Sequence, residues 1–467
     1  MLRLAAGLGQ VHRETPRGEF GKQFLHADVA VIGGGPAGIS AAQEAAERGA
    51  RVLLFDENSA LGGQLQFYDA DLPKSLTELR SEAFSNADGS RNFRHAALES
   101  ATYASQMGRT MTDFQTPVAS HPNITVLTDT VVLGWYDDNW LAAVQDARLL
   151  KIRATSLVLA TGAYEMPLVF DNNDLPGVML GSAVQRLLRL YGVAPGKRAM
   201  VMSANDDGWQ VAADLERAGI EIAAIVEERA RVQCTSPLAA ALSRRAPVFW
   251  AQTIKQARGK GAVSGAVIGE RTIECELIAV SVGWTPASDL IHQAGGKSEY
   301  NIARGEILPT TFPPGIFAAG RVMGTHNVNG QRIEGRLAGW SAAAFAGFGD
   351  APTDAERAQQ KPFEPLRTST RVKVAGSGKR FLCYREDVTD HDLEISVEEG
   401  DDNIELLKRY STISMGPCQG KMCALNTIHL CARANRATVR ETGTTTARPP
   451  IIPLKLGALA GQNLESV

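Results

Sequence analysis

Cys418 and Cys423, in the stretch "MGPCQGKMC" at 415–423, have the types and spacing of half a metal site: two thiolates in a loop whose glycines and proline let the backbone turn inward toward something bound. The chain has six cysteines, Cys234, Cys275, Cys383, Cys418, Cys423 and Cys431, and four of them fall in its last quarter. That clustering favours a local thiolate site over a disulfide framework. Cys234 and Cys275 stand alone, outside any C-x-x-C pair, and are expected to pack as small apolar side chains.

A second pattern that could do chemistry opens the chain. In "HADVAVIGGGPAGISAAQEAAERGARVLLFDEN" a β-branched strand (Val29 to Ile32) runs into Gly33-x-Gly35-x-x-Gly38, then an Ala-rich helix, then a strand (Val52 to Phe55) ending in Asp56 and Glu57. Gly33 would make the tight turn, Gly35 would let the backbone approach a pyrophosphate, and Gly38 would let helix pack on strand. The helix N-terminus then faces the phosphates, and Asp56 is placed to accept from an adenosine ribose.

The elements that must hold these residues read as α/β. "LVLATGAYEMP" is an apolar strand ending in Thr161-Gly162, and "PGIFAAGRVMG" is another ending in Ala319-Gly320. Between them "GKRAMVMSANDDGWQVAADLERAGIEIAAIVEER" repeats strand, turn, helix and strand with a degraded fingerprint: Ser203 and Asn205 hold the first two glycine positions, only Gly208 survives, and Glu227 ends the second strand. Side chains at the first two positions crowd a pyrophosphate, so this inner unit is expected to be empty. These segments resemble the two-dinucleotide-domain flavoproteins that include thioredoxin and glutathione reductases, one Rossmann-like domain inserted in the other. That family has Asp where this chain has Arg321, which cannot accept the bonds of an FAD ribityl but could pair with a phosphate or lie at the surface.

With 467 residues, 44% hydrophobic, the chain is long enough for two or three cored domains. A net charge of −3 gives no reason to expect nucleic acid or an anionic membrane as partner. No apolar run reaches the roughly 18 residues of a membrane span, and residues 1–20 have too short an apolar core for a secretory signal, so the chain reads as cytoplasmic.

From about Arg371 the pattern changes. "RFLCYREDVTDHDLEISVEEGDDNIELLKRYSTISMGPCQGKMCALNTIHLC" has a helix start at Val388-Thr389-Asp390 and an acidic turn at Gly400 to Asp402. It resembles the small helical domain of the bacterioferritin-associated ferredoxin type, which holds a [2Fe–2S] cluster on C-x-C and a second cysteine pair. With "LLKRYSTISMGPCQGKMC" and "ETGTTTARPPIIPLKLGALAG", the whole chain resembles the middle portion of the alpha subunit of heterotetrameric sarcosine oxidase. The relatives of that family are opine oxidase, the dye-linked proline dehydrogenases and hydrogen cyanide synthase. The expected division is a linker over 1–26, an outer dinucleotide-binding domain over 27–165 and 297–350, an inserted degenerate one over 166–296, a helical domain over 371–445 and a tail over 446–467.

The resemblance implies a chain that helps oxidise the C–N bond of a secondary or N-methylated amino acid within a complex. Amine oxidation would occur at FAD in a beta-type partner, FMN would lie at the interface, and NAD (or FAD) would occupy the first dinucleotide domain. Separate ferredoxin-like and aminomethyltransferase-like chains are further expected partners, because both domains flank this region in full-length relatives. Gly33, Gly35, Ala37, Gly38, Asp56, Glu57, Gln64, Val132, Gly162, Gly320 and Arg321 are the expected cofactor-binding residues, and no catalytic acid, base or nucleophile is identifiable. His326, Asn327 and Lys421 are loop residues that could face a flavin phosphate, a partner or only water. Cys383, Cys418 and Cys423 match the cluster pattern, Arg385 stands at the fourth position, and Cys431 is the expected substitute. Either a [2Fe–2S] cluster forms there or the module is a scaffold. The rival readings are a free-standing NAD(P)H-dependent FAD oxidoreductase and a purely structural subunit.

Overall fold

A computed structural model describes residues 20–68, 117–358 and 378–460; the expected linker lies outside them except for residues 20–26, most of which belong to a strand, and the tail lies outside in part. Strand β1 (Gly21–Ile32) leads into helix α1 (Pro36–Glu47) and β2 (Val52–Phe55). These three elements cover the fingerprint, β1 starting eight residues before the expected strand. Three further segments follow, β3 (Ile124–Leu127), β4 (Thr130–Tyr136) and β5 (Trp140–Gln145), and then the long β6 (Arg148–Leu159). β3, β2, β1 and β6 are parallel neighbours in that order, and the last half of β6 takes β19 (Ile316–Ala318) on its free side, while its first half carries the antiparallel β5 and β4.

The strands are buried on both faces at Val29–Ile32 and Leu157–Leu159, as a covered parallel sheet requires. One face is closed by α1 and by α4 (Val328–Phe345), whose backbones meet at unusually short range: a Cβ on Gly335 would sit 2.1 Å from the carbonyl of Ala37, and one on Gly339 2.2 Å from that of Ala41. Residues from the two ends of this domain therefore share one core, Ala41, Ala45, Val31 and Leu54 with Ala338, Ala342 and Ala343.

A second parallel sheet is built from β8 (Val178–Leu180), β9 (Arg198–Ser203), β10 (Glu221–Glu227), β11 (Val248–Trp250) and β15 (Leu277–Ser281), in the order β11-β10-β9-β15-β8. Helices α2 (Gly181–Leu190) and α3 (Asp206–Arg217) pack on one face of this sheet, and the antiparallel β12 (Ile254–Arg258), β13 (Gly265–Ile268) and β14 (Arg271–Glu274) on the other. It joins the outer domain through an antiparallel pair, β7 (Ala163–Glu165) with β16 (Trp284–Pro286), and the chain returns through the hairpin of β17 (Lys297–Asn301) and β18 (Glu306–Thr311).

The third unit begins with β20 (Phe381–Cys383) and β21 (Val388–Thr389) and continues with α5 (Asp390–Glu398), α6 (Ile404–Ser411) and α7 (Ala424–Ala434). The helix starts where the sequence places it, and Thr389 caps α5 in a reciprocal pair with Asp392. This unit is clamped to the domain junction, Asn173 exchanging two hydrogen bonds with the backbone of Phe381 (2.8 and 2.9 Å) and Asn426 donating to the carbonyl of Pro167 (3.0 Å). Residues 449–451 then run back over the outer domain. Ile451 N donates to Leu133 O at 2.9 Å, and the cysteine loop reaches the same strap through Gln419 to Pro450 O and Lys421 Nζ to Ile451 O. Among the described residues no helix is long and apolar enough to cross a membrane.

Candidate dinucleotide site

The C-terminal edge of the outer sheet presents, strand by strand, Asp56 after β2, Gly33 to Gly35 after β1, Thr161-Gly162 after β6 and Gly320-Arg321 after β19. Gly33 turns with φ +105° and its N–H donates to Phe55 O at 2.8 Å. A Cβ on Gly38 would lie 1.7 Å from Gly33 O, so the helix start is pressed against the turn. Gly35 is different: a Cβ there would meet nothing within 4 Å, and no side chain caps the α1 N-terminus beside it. A Cβ on Gly162 would likewise meet nothing within 4 Å. The loop at Gly62 and Gly63 covers Gly35, Gly62 N donating to Gly34 O at 2.7 Å, and next to it the enclosed Oε1 of Gln64 has no hydrogen-bond partner among the described residues. Open space and the free amide donors of a helix start converge here and fit the pyrophosphate of a dinucleotide, while the unpartnered Gln64 Oε1, an acceptor, fits a hydroxyl or N–H of such a ligand.

Asp56 is buried and already accepts three bonds, from Gly34 N (2.6 Å), Asn58 N (2.8 Å) and Asn58 Nδ2 (2.8 Å). A carboxylate has about four acceptor positions, so one remains for a ribose hydroxyl. Glu57 is exposed beside it. Val132 packs its side chain into the outer core with Leu53 and Phe55, so only its backbone can face a ligand. Ala37 and Gly320 touch across the edge, the Gly320 N–H already donating to Glu334 at 2.9 Å. Arg321 stacks its guanidinium 4.6 Å from the ring of Trp284, whose Nε1 donates to Asp207 at 2.8 Å in the inner domain. It is a junction residue, neither an acceptor for a ribityl chain nor a surface arginine.

The inner fingerprint is filled by its own side chains. Ser203 Oγ donates to Glu227 (2.9 Å), Trp209 Nε1 donates to the same carboxylate (2.8 Å), and Arg229 grips it with Nε (2.9 Å) and Nη2 (3.0 Å) while reaching Asp206 at 2.9 Å. Glu227 and Trp209 have no exposed surface. Asn205 caps the helix by accepting from Asp207 N and Gly208 N, and two acids, Asp206 and Asp207, occupy the first turn. The donors a phosphate needs are taken, and the charge there is of the wrong sign for one. The missing glycines are visible in the sequence, but the Glu227 network that replaces them is not.

Also unforeseen is Glu165, fully buried at the junction with Ser182 N 2.6 Å from its carboxylate. Burial raises its carboxyl from the ordinary 4.5 to about 7, against the pull of the Ser182 bond and with Asp207 adding to the rise. Between those two values the folded chain binds a proton the unfolded chain does not, so stability falls as pH rises from about 4.5 to about 7. Glu165→Gln should lose that component; thermal melts of both proteins across this window that run parallel would contradict it.

The four C-terminal cysteines do not gather. Cys423 donates its S–H to Cys383, which holds the Cys383 thiol well below its ordinary range together with the backbone N–H groups of Glu386, Arg385 and Ser414, and raises that of Cys423. Cys418 is within electrostatic reach of Cys423. Cys431 instead donates to the carbonyl of Asp402 at 3.3 Å and accepts from Asn435. The expected fourth ligand is thus corrected: eight residues along a helix is a rise of about 12 Å, too far for two thiolates to share a cluster edge. Among the described residues no group of three or more His, Cys, Asp or Glu is arranged to hold a metal ion, and the donor set does not fit a four-thiolate cluster. Cys275 is buried as expected, whereas Cys234 is only partly buried and lies 3.5 Å from Arg229.

One parallel dinucleotide fold nested in another is the architecture of the pyridine nucleotide-disulphide oxidoreductases. The model of that family matches residues 27–347, and the chain belongs to it. Within that class the chain is similar to the alpha subunit of sarcosine oxidase, and the sarcosine oxidase A3 domain matches residues 377–462. The alpha subunit from Rhizobium meliloti (strain 1021) is 33% identical over 99% of this chain and 45% of its own length, so the chain spans less than half of that relative. The A-type subunit of opine oxidase from Agrobacterium tumefaciens (strain Ach5) is 26% identical over 93% of this chain and 91% of its own. The solved L-proline dehydrogenase from P.horikoshii shares the fold, with TM-score 0.70 and 24% identity over 94% of this chain and 81% of that one.

Proposed function

We propose that the chain is the dinucleotide-holding, alpha-type subunit of a multi-subunit flavoprotein that oxidises the C–N bond of a secondary or N-methylated amino acid. The observation that carries this reading is the pairing of an open outer site at Gly35 with an inner site closed by Ser203, Trp209, Glu227 and Arg229. An enzyme that passed electrons from a pyridine nucleotide to FAD within one chain would need both. That disfavours the free-standing NAD(P)H oxidoreductase, and the naming of both the sarcosine and the opine oxidase relatives as subunits favours a complex.

In this proposal the outer site takes NAD, or FAD, with Asp56 on the adenosine ribose, the α1 amides on the pyrophosphate and Gln64 Oε1 accepting from a hydroxyl or N–H of the ligand. The bound dinucleotide supplies two-electron chemistry. FMN at an interface and FAD in a beta-type partner belong to the same proposal, as do separate ferredoxin-like and aminomethyltransferase-like chains. With Cys431 turned away, the helical unit is read as a scaffold that shapes the partner face, and no electron path is drawn through it.

The test is reconstitution. The purified chain alone should show no dye reduction with sarcosine, proline or an opine, and addition of a flavin-bearing partner purified from the same cells should restore it. Amine-dependent turnover by the isolated chain would overturn the proposal.

A further inference from the structure

His326 and Glu306 form a buried pair that the site described above does not use. The imidazole Nε2 lies 2.8 Å from Glu306 Oε1, and the two side chains are 7% and 2% exposed. With Glu306 as a carboxylate the Nε2–H is the donor, and in the neutral tautomer that this pairing selects Nδ1 is an acceptor. That Nδ1 is enclosed and has no hydrogen-bond partner among the described residues. Leaving a buried acceptor unmade costs about 1–3 kcal/mol, which makes the atom a marker for a missing ligand group.

Its place in the fold says which group. Gln331 fixes the His326 loop by donating to the carbonyls of Thr325 (3.0 Å) and His326 (3.1 Å), and the same side chain packs 3.8 Å from the Cβ position of Gly320, itself against Ala37. The His326 ring lies 6.4 Å from that of Trp284, on which Arg321 stacks. His326 therefore belongs to the β19 end of the ligand edge. Asp56 is at the β2 end, three strand spacings or about 14 Å away, with Gly35 between. A dinucleotide with its ribose on Asp56 and its pyrophosphate on Gly35 must carry its other nucleoside toward β19.

We propose that His326, oriented by Glu306, accepts a hydrogen bond from an N–H or O–H of the second, non-adenosine nucleoside, and so selects whole dinucleotides over adenylate fragments. This rests on the outer-site reading above. His326 is a positioning residue that contacts ligand and takes no part in the reaction.

The experiment titrates the full chain, stripped of bound nucleotide, with NAD, FAD and ADP, the fragment both share. Whichever dinucleotide binds the wild type should bind His326→Ala about tenfold more weakly, with ADP affinity unchanged. His326→Asn, which keeps an acceptor, should recover part of the loss, and melting curves report whether either variant is misfolded. Equal losses for dinucleotide and ADP, or no loss for either, would overturn the assignment. A wild-type chain that binds neither NAD nor FAD overturns the outer-site reading, and this one with it.

Discussion

Replacing Gly35 with valine is expected to abolish dinucleotide binding while leaving the fold intact. The backbone at Gly35 has φ −75°, open to any residue, and a Cβ there meets no atom within 4 Å, so the side chain enters empty space. That space is where a pyrophosphate would reach the α1 amides. Two or more charge-assisted hydrogen bonds would be lost, worth roughly 1.5–3 kcal/mol each, and affinity should fall by about 100-fold or more. Calorimetric titration reads the loss, and an unchanged melting temperature separates it from unfolding. The comparison is Gly38→Val, whose Cβ would stand 1.7 Å from Gly33 O and should cost the fold itself. Asp56→Ala is a poorer probe because it also releases Gly34 and Asn58. A Gly35→Val protein that binds NAD and FAD like wild type would place the ligand elsewhere.

Glu227→Ala should be the most destabilising single change in the inner domain. The carboxylate is fully buried and is the common acceptor of Ser203, Trp209 and Arg229. Its removal leaves a buried indole N–H without its acceptor and a largely buried guanidinium with only Asp206 as counter-charge, and breaking such a pair from one side costs up to about 3–5 kcal/mol. Denaturant unfolding measures the loss. Nucleotide affinity of the folded fraction should not change, because this carboxylate serves packing. A wild-type midpoint, or a selective loss of nucleotide, would assign Glu227 to a ligand after all.

The two sites differ in how far the sequence exposed them. The outer fingerprint is local: Gly33, Gly35, Gly38 and Asp56 lie within 24 residues, and each has a task that its type alone suggests. The helix start at Val388-Thr389-Asp390 was legible for the same reason, although its capping partner Asp392 is seen only in the fold. Closure of the inner site is not local. Ser203 and Asn205 announce that glycine is missing, but only the fold turns Glu227 and Trp209 inward to meet across β10 and α3. His326 and Glu306 are 20 residues apart, on separate elements, with nothing in either neighbourhood to join them. Cys431 is the reverse case. The sequence did contain the warning, since the helix that places it eight residues from Cys423 also carries it away along the axis.

The outer domain's closing strand and helix, β19 and α4, come from far down the chain: Ser156 Oγ bonds Ala342 O across 186 residues, and a glycine of α4 fills the notch over Ala37. The parallel sheet of the inserted domain lies wholly between Val178 and Ser281. During synthesis the insert is therefore complete while the ligand edge still lacks Gly320 and the helix that backs it. At roughly 5–20 residues per second, the fingerprint made first waits on the order of tens of seconds for the partners that close its core. Over that interval the apolar strands β1, β2 and β6 are half covered, so folding of this chain should depend on chaperones at the ribosome and should stall, with aggregation, in any truncation that ends before Phe345.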